Sequence, residues 1–99
     1  MNLNIPFVDG VYKRRHDNRY DRYHDLAIDA TDVTGGTLVI RARKPGSSFF
    51  EDVPDGTVDL ATPNSVTFQG SVTEYEFTLS GVVGTTTVLE LTDTSTGGQ

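Results

Sequence analysis

Cysteine and tryptophan are absent from this 99-residue chain, methionine occurs once, and apolar runs never exceed a few residues. Without cysteine there is no disulfide staple and no thiolate metal cluster. Without a run of about 20 apolar residues there is no membrane-spanning helix. Met1-Asn2-Leu3-Asn4-Ile5-Pro6 lacks the basic start and apolar stretch of a signal peptide. No glycine-rich phosphate loop, zinc motif or Gly-x-Ser-x-Gly elbow is present. Basic residues are also scarce, 8 Lys and Arg against 14 Asp and Glu, and a net charge of −6 argues against nucleic acid as a general partner.

What charge there is divides unevenly. Residues 1–24 hold five basic and three acidic residues, a net +2, whereas residues 25–99 hold three basic and eleven acidic ones, a net −8. A basic leader therefore precedes an acidic body, and it either meets a partner or folds back on its own domain. The leader is also aromatic. Tyr12, His16, Tyr20 and Tyr23 fall on one stripe at helical spacing, with Arg15, Arg19 and Arg22 beside it. An extended arm explains the same composition, because residues 11–24 are rich in Asp and Asn and hold neither Leu nor Ala. Arg and Tyr combine contact area with hydrogen-bonding groups and are enriched at interface hot spots. The expected partner-binding residues are Tyr12, Arg14, Arg15, Arg19, Tyr20, Arg22 and Tyr23, with Ile5 and Phe7 as anchors. Interleaved Arg and Tyr also suit stacking on single-stranded nucleic acid, a reading opposed by the three aspartates of the segment and by the acidic body.

From Asp25 onward the pattern is antiparallel β, and the expected fold is a small all-β sandwich or barrel of about seven strands. Leu38, Ile40 and Ala42 alternate with Arg41 and Arg43; Thr73, Tyr75, Phe77 and Leu79 alternate with Glu74, Glu76 and Thr78; Leu89 and Leu91 alternate with Val88 and Glu90. Shorter candidates are Leu26–Ala30, Ser48–Asp52, Thr57–Ala61 and Ser65–Gln69. Turn residues separate these runs: Lys44-Pro45-Gly46-Ser47 fits a type II turn, Pro54-Asp55-Gly56 and Thr62-Pro63-Asn64 mark corners, and Gly81-Val82-Val83-Gly84 joins the last long strands. The expected organisation is an arm over 1–24, a sandwich over 25–93, and a polar tail over 94–99 with nothing apolar to bury.

Chemistry has few footholds. His16-Asp17 and His24-Asp25 are two His-Asp pairs, which suit an oriented base or a metal site but more simply serve as partly buried hydrogen-bonding residues. Glu51, Asp52, Asp55 and Asp59 surround one corner without matching a calcium loop, and acidic residues at such corners ordinarily serve the turn. Glu74 and Glu76 face outward on one strand, with Arg41 and Arg43 as their expected counter-charges. No catalytic residue, cofactor or metal is expected.

The strings Asp32–Pro45, Phe49–Leu60, Ser65–Gly70 and Tyr75–Val82, followed by a Thr-rich last strand, resemble small β-sandwich virion proteins of tailed bacteriophages. The likeness covers roughly residues 30–92 and lies in strand and turn style. It implies a non-enzymatic structural role: decoration of a capsid first, a head–tail or tail component second. The implied partners are major capsid or tail and neck subunits together with further copies of the chain, a trimer among the arrangements, without membrane and within a virion assembled in the host cytoplasm. From a different class, a free-standing glycan or host-surface module would use Phe49, Phe50 and Tyr75 as a stacking platform if they are exposed, whereas alternation more readily places them in the core.

Overall fold

The computed structural model describes residues 1–16, 20–63 and 65–97. Alternation of apolar with polar side chains and abundant β-branched residues make extended strands the natural state of this chain. Eight strands form: β1 (Ile5–Pro6), β2 (Gly10–Arg15), β3 (Asp21–Asp29), β4 (Val33–Arg43), β5 (Glu51–Asp59), β6 (Val66–Gln69), β7 (Glu74–Gly84) and β8 (Val88–Gly97). They build two four-stranded antiparallel sheets, ordered β1-β8-β3-β6 and β2-β7-β4-β5. The inward stripes Leu26 of β3 and Leu89 and Leu91 of β8 face Leu38 and Ile40 of β4 and Tyr75, Phe77 and Leu79 of β7, all nearly inaccessible. This is the expected all-β arrangement with one strand more than expected. Among the described residues no helix is long and apolar enough to cross a membrane.

The N-terminal segment is neither a free arm nor a helix. Ile5 pairs with Leu89 in the first sheet, and the chain then crosses to the second, where Gly10–Arg15 pairs with Leu79–Glu74. Ile5 and Phe7, expected as anchors on a partner, are buried in the protein's own core. The leader's alternation explains why: Leu3, Ile5 and Phe7 repeat every second residue, the period of a strand edge. The expected tail is likewise structured through Gly97. Thr94, Ser95 and Thr96 continue β8 opposite Asp25, His24 and Tyr23, so the backbone is held by ladder bonds although no apolar side chain is buried.

Two expected corners are not turns between strands. Pro54-Asp55-Gly56 lies inside β5, where the pairing with β4 jumps from Val39↔Thr57 to Arg41↔Asp52. Such an irregularity is tolerated because β5 is an edge strand, where Pro54 has no ladder bond to forfeit. Asp55 takes a left-handed φ of 56°, and a Cβ on Gly56 would stand 2.6 Å from the Ile40 carbonyl oxygen. Gly81–Gly84 forms the end of β7, and the connection to β8 is made by residues 85–87. The Lys44–Ser47 turn forms as expected, with Gly46 at φ 80° and the Ser47 amide donating to the Lys44 carbonyl at 3.0 Å. Asn64, part of another expected corner, lies outside the described residues.

Candidate functional site

The most chemically loaded place in the fold lies between the sheets, at the end where β2 leads into β3. The inward stripe of β8 reads Leu89, Leu91, Asp93, Ser95, and that of β3 reads His24, Leu26, Ile28. Each stripe therefore turns polar at the same end, and the register sets His24 opposite Ser95 and Leu26 opposite Asp93. Tyr75 of β7 closes the group from the other sheet. His16, immediately after β2, completes it, held by its backbone amide donating to the Thr73 carbonyl at 3.0 Å.

Asp93 is the hub. Its Oδ2 accepts the Tyr75 hydroxyl at 2.7 Å and its Oδ1 accepts the Ser95 hydroxyl at 2.6 Å. Nδ1 of His16 and Nδ1 of His24 each lie 3.3 Å from that same Oδ2. The far ring nitrogens are also engaged: His24 Nε2 donates to the Gly70 carbonyl at 2.8 Å and His16 Nε2 to the Asp21 carboxylate at 3.2 Å. Phe68 stacks on the His24 ring with centroids 4.8 Å apart. The side chains of His24 and Asp93 are fully inaccessible and that of His16 is 1% exposed.

Burial works against the charged form of His24, but the hydrogen bonds to Asp93 and the Gly70 carbonyl, with the nearby charges of Asp93 and Asp21, outweigh it and hold the imidazole above its ordinary 6.5. Burial likewise opposes ionisation of Asp93. Hydrogen bonds from His24, Ser95 and Tyr75 and the charge of His24 prevail, and the carboxyl stays below its ordinary 3.8. Burial first, then its bond to Asp93, pushes the Tyr75 phenol far above its ordinary value, so it remains a donor. The signs define a pH window for chelator-treated protein. Stabilisation from His24 is complete below 6.5 and lost as pH rises through its raised folded value. Stabilisation from Asp93 is complete above 3.8 and lost as pH falls through its depressed folded value. Both limbs report one ion pair, so the urea midpoint should peak between those values and decline on either side. A midpoint constant from pH 4.5 to 8 would contradict the pairing.

The acid that follows His24 in sequence is not its partner. Asp25 follows His24 on a strand and so points to the opposite, solvent face; the acid that reaches His24 comes from 69 positions away. Asp17 lies outside the described residues. The period-2 stripe Leu89, Leu91, Asp93 carried the signal that an acid faces inward.

The expected partner-binding residues divide into two groups. Tyr12 is half-buried against the core and donates to the Val8 carbonyl at 2.7 Å, and Arg14 reaches across to the Asn4 carbonyl at 3.1 Å. Arg15, Tyr20, Arg22 and Tyr23 are exposed, Tyr20 at 71%, and lie where β2 ends and β3 begins, with Arg15 opposite Glu74 on the second sheet and Tyr23 opposite Thr96 on the first. Arg19 lies outside the described residues. On the outer face of the second sheet Arg41 pairs with Asp52 at 3.2 Å and Glu76 at 3.6 Å, Arg43 with Glu74 at 3.3 Å, and Lys44 with Glu51 at 3.4 Å. The counter-charges expected for Glu74 and Glu76 are thus supplied within the chain. Two members of the expected acidic corner, Glu51 and Asp52, are engaged in the same ladder. The stacking platform of a glycan module does not form, since Tyr75 is inaccessible and Phe50 is half-buried beneath Lys13, whose ammonium sits 5.3 Å from its ring centre.

One family model matches the chain, over residues 22–92, and its description is a domain of unknown function (DUF7265). No curated protein matches. No solved structure matches.

Proposed function

The chain belongs to this family of unknown function, and we propose, on grounds separate from that match, that it is a non-enzymatic structural protein of a bacteriophage virion, a decoration subunit that grips capsid subunits and its own copies. The observation that carries the reading is the exposure of Arg15, Tyr20, Arg22 and Tyr23, basic and aromatic side chains at the end of β2 and the start of β3, on an otherwise acidic body. These side chains offer planar hydrogen-bonding groups and flat apolar area together, the combination that dominates binding energy at protein interfaces. Val11, 58% exposed on the edge strand β2, adds apolar area on the face of that strand which carries Arg15. The ion-pair ladder across the second sheet matches Arg41, Arg43 and Lys44 with Glu51, Asp52, Glu74 and Glu76, so those three cations are engaged within the chain. The virion setting rests on the strand and turn style of residues 30–92. Repetition over a symmetric shell multiplies a modest contact into lasting attachment.

Co-sedimentation with shells of the major capsid protein encoded in the same genome tests this reading. The full chain should pellet with the shells, and a triple variant R15E/R22E/Y23S should bind at least tenfold more weakly, since each hot-spot residue contributes about 2 kcal/mol or more. Val83→Ser, at the opposite end of β7, should bind like the unaltered chain. Failure of the unaltered chain to pellet, or equal pelleting of the triple variant, would overturn it. Attachment to tail or neck subunits in place of shells would move the protein to the head–tail junction.

A further inference from the structure

Independently of any partner, the buried cluster poses a problem of lone pairs. His24 Nε2 faces a carbonyl and His16 Nε2 faces a carboxylate, both acceptors only, so each Nε2 carries the proton it donates. That leaves the two Nδ1 atoms converging on one oxygen of Asp93, each 3.3 Å away. Three electron-rich atoms packed this closely require positive charge among them. A second proton on His24 Nδ1 answers one contact. Nδ1 of His16 has no hydrogen-bond partner at all, although its side chain is 99% buried and aimed at the carboxylate.

We propose that His16 Nδ1, His24 Nδ1 and Asp93 Oδ2 bind a divalent transition-metal ion, with Zn²⁺ the best match to the donor set. The three ligand atoms lie within 4.8 Å of one another. Tetrahedral bonds of 2.0–2.1 Å place neighbouring ligand atoms ~3.3 Å apart, the separation seen between each Nδ1 and Oδ2, and the remaining edge between the two imidazoles, within 4.8 Å, closes by a small ring movement on binding. The Tyr75 hydroxyl, 2.7 Å from Asp93 Oδ2 and 3.1 Å from His24 Nδ1, lies beside these ligands and fixes the carboxylate through its hydrogen bond. Two imidazoles with one carboxylate suit zinc and its neighbours and disfavour magnesium or calcium, which prefer oxygen alone. The outer contacts are those that metal-bound histidines use: Asp21 and the Gly70 carbonyl fix the rings, and Ser95 fixes the carboxylate. With every side closed by protein, the ion would be structural, joining both sheets and the segment after β2; its binding releases the His24 Nδ1 proton to solvent.

The full chain, stripped with chelator and dialysed, is titrated with ZnCl₂, MgCl₂ and CoCl₂. One equivalent of Zn²⁺ should bind per chain, and the melting temperature should rise by about 10 °C at a hundredfold excess over Kd. Mg²⁺ should leave it unchanged, and Co²⁺ should give the intense visible bands of a tetrahedral site. His16→Asn should lose at least tenfold in Zn²⁺ affinity. Should that variant not fold, the Co²⁺ spectrum of the unaltered chain decides: intense bands support the site, and a pale octahedral spectrum overturns it. Absence of Zn²⁺ binding, an equal response to Mg²⁺, or undiminished binding by folded His16→Asn would each overturn it as well.

Discussion

Asp93→Ala should cost about 3–5 kcal/mol of folding stability, the range for removing one partner of a buried ion pair. The loss exceeds that of an ordinary hydrogen bond because the carboxylate is shared. Tyr75 would keep a buried hydroxyl and Ser95 a part-buried one with the acceptor gone, and His24 would keep a charge with its hydrogen-bonded counter-ion removed. Domains of this size have about 5–15 kcal/mol in total, so the variant should lie near the edge of folding. Asp93→Asn retains an acceptor and the shape, and should lose less, about 1–3 kcal/mol. Urea denaturation of metal-free protein measures both. A shift below about 1 kcal/mol for Asp93→Ala would show that the cluster is not the hub the geometry describes.

Phe77→Ala should be comparably severe, again about 3–5 kcal/mol, through lost apolar contact and the cavity left behind. Phe77 is inaccessible and stacks on Tyr75 with ring centres 5.7 Å apart, so a void there also loosens the ring that bonds Asp93. The informative comparison is Phe49→Ala. Phe49 is 62% exposed, and its removal should change stability by no more than about 0.5 kcal/mol. The two substitutions delete the same atoms, and only burial separates them. Similar denaturation midpoints for both would contradict the assignment of inner and outer faces.

The inner faces were legible in the sequence because a strand's period of two sorts side chains without reference to any partner. Leu38, Ile40, Ala42, Tyr75, Phe77, Leu79, Leu89 and Leu91 all alternate as expected and all face the core. The leader was misleading because charge and aromatic content dominate it, while its short stripe Leu3, Ile5, Phe7 is what docks it on β8 and the core. Pro54-Asp55-Gly56 has turn chemistry, yet on an edge strand the same residues make an irregularity that the pairing absorbs. The buried cluster was half visible. Both histidines stood out, but Asp25 beside His24 points to the opposite face, and Asp93 arrives only through the pairing of β3 with β8. Residues 69 apart meet because of sheet order, which no local pattern encodes.

Surface and interior thus divide the work proposed here: a polar hub locks the two sheets, and the basic–aromatic corner above it grips neighbouring subunits. Hydrogen–deuterium exchange of the chain, free and bound to shells, tests that division most directly. Protection gained on binding should concentrate in residues 10–15 and 20–23, with the interior strands β7 and β8 already slow in both states. Protection confined to the β4–β5 side, with the corner exchanging as fast as in the free chain, would contradict it.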